Sequence, residues 1–311
     1  MQSYAFIFPG QGSQHAGMGR DLSENFKTAA RSFEEADDAL GFSLSRLCFE
    51  GPEEDLKLTA NTQPAILAAS VAALRVLREE SPIAPSFLAG HSLGEYSALV
   101  ASGALDFADA LRIVRARGSF MQDAVPVGVG AMAAILGVEA ELLLEICAEA
   151  AQGEVVSPAN YNSPGQIVVA GHTGAVNRAI EIAKARGFRK AMLLPVSAPF
   201  HCALMQKAAE RLAGALEPVQ VHALATPVVS NVEAKPNIYA ERVKPLLVEQ
   251  VCSPVLWDAT VQAIVAAGVT NFVEIGPGKV LAGLVKRIDK EAVSCNVQDS
   301  AGVKAMTGGA I

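Results

Sequence analysis

The chain has 311 residues, and 25 Lys+Arg against 32 Asp+Glu give it a formal net charge of −7. With 51% hydrophobic and only 18% charged residues it can bury a core, which excludes a largely disordered chain. The length suits one large α/β domain or two units, and the acidic balance argues against sequence-independent nucleic-acid binding, which needs a basic surface.

Taken in chain order, Tyr4–Phe8 is an apolar run ending at Pro9-Gly10, which reads as a buried strand meeting a loop. Residues 21–40 carry mixed charges at helical spacing, and 65–80 form an alanine-rich helix. Residues 87–90 are a strand followed at once by Ser92 and a helical stretch to about Ser102, and 106–123 is a strong helix with Asp106 as its N-cap. The pattern then changes. Strands at 129–137, 154–160, 166–171 and 189–196 alternate with helices at 139–151 and 173–187 in the order β-α-β-β-α-β, a split-βαβ or ferredoxin-like unit. Residues 202–216 and 238–251 are helical, 270–275 is a strand and 280–290 a closing helix, while the tail after about Ser300 is expected to fray. The expected architecture is an α/β core built from 1–126 and 198–311 around an inserted subdomain at 127–197.

Five widely spaced cysteines with no CxxC pair form neither a disulfide framework nor a zinc site, and five histidines include no HxH or HxxxH pair. No Lys or Arg precedes Arg20, so the N-terminus lacks the charged segment of a signal peptide. The longest strongly apolar stretch, residues 124–138, is broken by Pro126 and three glycines and is too short to span a bilayer. A soluble cytoplasmic protein without metal, cofactor or membrane contact is the expectation.

Three nucleotide signatures fail. Position 15 is His where the motif begun by Gly10-Gln11-Gly12 needs Gly, Gly128-Val129-Gly130 opens a strand instead of a helix, and Gly278-Lys279 lacks the rest of a phosphate-binding loop. Gly90-His91-Ser92-Leu93-Gly94, by contrast, matches GxSxG between a strand and a helix, the setting of a nucleophile elbow, with a merely structural turn as the competing reading. A serine hydroxyl needs a base. His201, after a strand end and before a helix, follows Ser92 in the order expected of an α/β-hydrolase, although a histidine satisfied by nearby backbone fits the same position. No Asp or Glu between 92 and 201 follows a core strand, which points to a Ser-His dyad with a non-carboxylate orienter. Arg117 projects from the apolar stripe Phe107, Ala110, Leu111, Val114, Gly118 and Met121. A guanidinium there needs a partner, either an internal acid or a substrate carboxylate.

Seven blocks in order, FPGQGSQ (8–14), NTQPA (61–65), GHSLGEYSAL (90–99), RARGSFMQ (115–122), NYNSPGQIVVAG (160–171), VSAPFH (196–201) and EIGPGKVL (274–281), resemble the malonyl-CoA:acyl carrier protein transacylase family. The resemblance implies an α/β-hydrolase-like core with a ferredoxin-like insert. It implies transfer of malonyl from malonyl-CoA to the phosphopantetheine thiol of acyl carrier protein, by a ping-pong route through malonyl-Ser92, in fatty-acid synthesis and without a cofactor. In it His201 is the base, Arg117 the carboxylate clamp, and the N–H groups of Gln11 and Leu93 the oxyanion hole. Phe200 goes with malonyl preference, the Gln250 carbonyl orients His201, and Gln63 and Asn162 support the loops. An acidic enzyme receiving an acidic carrier needs a local basic patch. Candidates are Arg186, Arg189 and Lys190 with Lys279, Lys286 and Arg287. The absence of fused domains suggests a stand-alone enzyme, and a monomer is the separate expectation. The rival readings are a polyketide-pathway acyltransferase, a serine thioesterase or carboxylesterase, and a non-catalytic carrier-binding module.

Overall fold

A computed structural model describes residues 3–196 and 198–308, so Ser197 of the VSAPFH block lies outside the described residues. Strand β1 (Tyr4–Phe8) is buried on both faces, as an unbroken apolar run requires. Four helices follow: α1 (Arg20–Asn25), α2 (Lys27–Leu40), α3 (Leu44–Glu50) and α4 (Glu53–Leu56). The stretch 21–40 is thus two helices, because Phe26 is extended (φ −131°, ψ 120°) and its N–H closes α1 on Leu22. Helix α5 (Thr59–Glu80) begins before the expected Ala65 and takes Pro64 inside it. Every residue from Thr62 to Leu74 is buried, so this part of α5 is a central helix with no solvent face, while its last turn at residues 78–80 is exposed.

Strand β2 (Pro85–Gly90), α6 (Gly94–Ala101) and α7 (Phe107–Asp123) come next. Asp106 occupies the N-cap position of α7, but its side chain makes no cap bond; its carboxylate stands 3.5 Å from His222. The middle of the chain forms β3 (Gly130–Leu136), α8 (Ala140–Ala151), β4 (Val156–Ser163), β5 (Gln166–His172), α9 (Thr173–Ala185) and β6 (Ala191–Leu193). Strand β6 is shorter than the expected 189–196, since it pairs only with Ala133–Ile135 of β3. A 3-10 turn (Ala203–Met205) leads into α10 (Gln206–Leu216), then β7 (Val228–Val229), β8 (Pro236–Asn237), α11 (Ala240–Gln250) and α12 (Trp257–Ala266). The chain closes with β9 (Asn271–Ile275), α13 (Val280–Ile288), β10 (Val293–Val297) and α14 (Ser300–Thr307). The tail expected to fray is therefore helical: Asp299 accepts the Gly302 N–H at 2.8 Å, and Val303 and Met306 are buried. No helix among the described residues is long and apolar enough to cross a membrane.

These elements make a mixed α/β fold with two sheets. The larger has the order β10-β9-β1-β2-β7-β8 and is parallel except at the β7–β8 edge. The smaller is antiparallel, in the order β4-β5-β3-β6. Val255, between α11 and α12, adds an isolated bridge to β4, donating to Ala159 O and accepting from Tyr161 N–H, both at 2.9 Å. The carboxyl ends of β1, β2 and β9 lie on one edge of the larger sheet, where open α/β sheets bind ligands.

Helices α5 and α7 approach closely at Gly118, where an added Cβ would fall 2.6 Å from Thr59 O and 2.9 Å from Ala60 Cα. Gly→Ala in a helix ordinarily stabilises by about 0.5–1 kcal/mol, but overpacking against backbone costs about 1–3 kcal/mol. Gly118→Ala is therefore expected to lower the denaturant midpoint, and an unchanged or raised midpoint would show that α5 and α7 separate freely.

Candidate active site

The turn after β2 is built by close backbone contact. A Cβ on Gly90 would lie 2.0 Å from the Gly94 carbonyl, and one on Gly94 only 2.1 Å from Phe8 O. Between them Ser92 takes a left-handed backbone (φ 51°), a conformation non-glycine residues adopt only when their surroundings enforce it. Asn231 supplies that enforcement: its Oδ1 accepts the Ser92 N–H at 2.7 Å and its Nδ2 donates to Gly90 O at 2.7 Å.

Ser92 Oγ stands 2.7 Å from His201 Nε2. His201 is buried, is also left-handed (φ 60°), and its Nδ1 lies 2.8 Å from Gln250 O. A carbonyl can only accept, so Nδ1 carries the proton and Nε2 is left as acceptor for the serine hydroxyl. Burial, and then the Arg117 charge, push His201 down to about 3, so the imidazole is neutral.

Arg117 is fully buried on α7, and among the described residues no carboxylate pairs with it. One terminal nitrogen donates to Gln63 Oε1 at 2.8 Å; the other donates to Gln250 Oε1 at 2.9 Å and to Ser92 Oγ at 3.2 Å. Its Nε has no partner among the described residues, and the guanidinium lies 5.6 Å from the Tyr96 ring centre. Burial pushes it below its ordinary value, while Tyr96 and Glu95 push it back up. Of the two partners the sequence allowed, an internal acid in direct contact is not the one found.

Beneath the serine lies Glu95, buried, with Oε2 accepting Gln250 Nε2 at 2.7 Å and Asn231 N–H at 3.1 Å. Burial raises it to about 7, against the opposing effects of Gln250, Asn231 and Arg117. Neither Glu95 nor Asn231 was singled out in the sequence. Glu95 left one signal, an acid directly after GHSLG in an otherwise apolar helix start; Asn231, 139 residues from Ser92, left none.

The remaining candidates divide. Leu93 and Phe200 are buried and flank Ser92 and His201 in the chain. The N–H groups of Gln11 and Leu93 bond to no other described group, and the Gln11 side chain reaches Thr59 Oγ1 at 3.4 Å. Asn162 Oδ1 is 2.8 Å from His91 Nε2, which ties the turn to β4. Arg189 and Lys190 are exposed, and Lys190 O accepts from Leu136, which pairs with Gln166; Arg287 donates to Gln166 Oε1 at 2.6 Å. These three bases thus gather at one end of the smaller sheet. Lys286 turns away to the carbonyls of Lys290 and Ala292, and Arg186 is paired with Glu145 and Glu149.

The arrangement can do acyl transfer: a serine hydroxyl lies against a neutral base and beside a cation with no carboxylate partner among the described residues. The family described as acyl transferase domain matches residues 5–307. The malonyl CoA-acyl carrier protein transacylase of Escherichia coli K12 is 51% identical over 288 residues, covering 93% of each chain. That of Bacillus subtilis is 49% identical over 300 residues, 96% of this chain and 94% of its own. The solved malonyl CoA-acyl carrier protein transacylase from Coxiella burnetii superposes with a TM-score of 0.97 at 43% identity, covering 99% of this chain and 97% of that one. A malonyl-transacylase solved in complex with its type II polyketide acyl carrier protein gives 0.96 at 48% identity, over 99% of both chains. Fold and sequence agree: the chain belongs to the acyl transferase domain family, among the malonyl CoA-acyl carrier protein transacylases.

Proposed function

We propose that the protein moves the malonyl group from malonyl-CoA to the phosphopantetheine thiol of acyl carrier protein, in fatty-acid synthesis and in the cytoplasm. The observation that carries this is the buried Arg117, without a carboxylate of its own, 3.2 Å from Ser92 Oγ. An esterase or thioesterase has no need of such a cation beside its serine. The relative that serves a polyketide carrier keeps that pathway open as the second reading.

In this reading Arg117, held by the Gln63 and Gln250 oxygens, takes the malonyl carboxylate beside Ser92, and His201 Nε2 receives the Ser92 proton as Oγ attacks the thioester carbon. The Gln11 and Leu93 N–H groups stabilise the oxyanion, at about 3–4 kcal/mol for one such donor. Collapse expels CoA, which takes the proton from His201 and leaves malonyl-Ser92. The carrier thiol then gives its proton to His201, attacks the ester and leaves as malonyl-carrier, and His201 returns the proton to Ser92. Phe200, beside His201, narrows the space at the malonyl α-carbon, while Gln63 and Asn162 hold the surrounding loops. The exposed bases Arg189, Lys190 and Arg287 receive the acidic carrier, while Lys286, held on the Lys290 and Ala292 carbonyls, stands apart from them.

The two-sheet fold reads as an α/β-hydrolase-like core, 1–126 and 198–311, interrupted by a ferredoxin-like subdomain at 127–197. Two features support this: the parallel sheet with its serine turn after β2, and the strand order of the smaller sheet, in which its first and third strands are central and antiparallel.

Incubation with labelled malonyl-CoA is expected to leave a covalent label on Ser92 that carrier protein removes and buffer does not. Rapid loss to water would mean an esterase, and a label persisting on Ser92→Ala would remove the nucleophile assignment. Arg117→Ala is expected to cost malonyl transfer about 3 kcal/mol or more, over a hundredfold, since charge-assisted hydrogen bonds contribute about 1.5–3 kcal/mol each. Acetyl transfer should be spared, and equal losses for both groups would sink the clamp.

Neutral imidazole is the working form, and protonation inactivates it. Because His201 is held at about 3, below its ordinary 6.5, the active window extends toward acid. The kcat/KM for acetyl-CoA is expected to stay level down to about pH 5. An acid limb near the ordinary histidine value would contradict this electrostatic picture.

A further inference from the structure

Gln250 presents an amide with one accepting and one donating end, and its direction decides what Arg117 meets. Its Nε2 donates to Glu95 Oε2 at 2.7 Å and to Ser92 O at 3.1 Å, while its Oε1 accepts from Arg117 at 2.9 Å. The Ser92 carbonyl only accepts, and so does Glu95 in its carboxylate form, so with the acid ionised both partners set this direction. Reversed, the amide would set its NH2 against the guanidinium and its oxygen against two acceptors. Ser92 O alone is a weaker hold than an ionised acid, since charge-assisted hydrogen bonds are roughly twice as strong as neutral ones. Glu95 sits in the first turn of α6, where the helix N-terminus favours a negative charge, and it is 3% exposed.

We propose that Glu95 is a positioning residue for acyl selectivity: it fixes the Gln250 amide so that its oxygen holds the Arg117 guanidinium over Ser92. The proposal rests on the reading of Arg117 as the clamp for the malonyl carboxylate. Glu95 does not touch the Gln250 main-chain oxygen that orients His201, so the proton relay survives its loss. Its second bond, to the Asn231 N–H, supports the serine turn and serves charged and neutral acyl groups alike. The malonyl:acetyl ratio therefore isolates the path through Gln250 from any general damage to the turn.

The test compares kcat/KM for malonyl-CoA and acetyl-CoA, with carrier protein as acceptor, in the intact enzyme, E95A, E95Q, R117A and E95A/R117A. E95A is expected to lower the malonyl:acetyl ratio roughly tenfold or more, and E95Q, which keeps an oxygen able to accept both N–H groups, should restore it to within about threefold. In the R117A background E95A should leave the ratio unmoved, because both act through one guanidinium. If R117A collapses the ratio and E95A does not, the role of Glu95 is overturned and the clamp stands. A ratio unmoved by R117A removes the clamp and the proposal together. A ratio that E95A still shifts in the R117A background also overturns it. Should E95A fail to fold, Gln250→Met cuts the same link nearer to Arg117 and must give the same loss; a retained ratio there defeats the proposal equally.

Discussion

Gln250 hydrogen-bonds in two directions, through its main chain and through its side chain, and the site is organised around that division. It is the last residue of α11. Carbonyls in the final turn of a helix have no partner within it and carry partial negative charge. The Gln250 oxygen is therefore free to take the His201 Nδ1–H, the task a carboxylate performs in a Ser-His-Asp triad. A carboxylate would also pull the histidine upward in pKa, and a neutral carbonyl does so far less. Meanwhile the side-chain amide lies between Glu95 and Arg117. One residue thus fixes both the base and the cation relative to Ser92, and a network this deeply buried tolerates little partial satisfaction.

The features that could be read in the sequence are those written locally. The serine turn announces itself because two backbone approaches near 2 Å admit nothing larger than glycine at 90 and 94. Arg117 is visible because the period of α7 puts it on a buried face. His201 follows from chain order, and the missing acid follows from where acids do not occur. What escaped is either short or distant. Strands of two residues such as β7 and β8 have no periodicity to detect, and the break at Phe26 interrupts a charge pattern that runs on across it. The role of Gln250 entered only through family resemblance. Glu95 and Asn231 gain their meaning from partners more than a hundred residues away, which no local pattern encodes.

Ser92 and His201 share an unfavourable backbone, each at positive φ. Such positions cost about 1–3 kcal/mol apiece and persist only where surrounding structure dictates them. For Ser92 that structure is Asn231 and the two glycine contacts; for His201 it is the hydrogen bond at each ring nitrogen. The Ser92–His201 pair is consequently held in place by the fold itself, and the central helix α5, buried from Thr62 to Leu74, gives the floor on which Gln63 meets Arg117.

With Arg117 as the proposed carboxylate clamp, the guanidinium sets folding against function. Charge removed from water is costly unless a countercharge meets it directly, and here the nearest acid stands behind an amide while one nitrogen bonds to nothing described. A long neutral side chain at that position would relieve the molecule of its most exposed thermodynamic liability. Selection for thermostability alone would therefore press against Arg117, and, if the clamp reading holds, activity and robustness pull in opposite directions at this position.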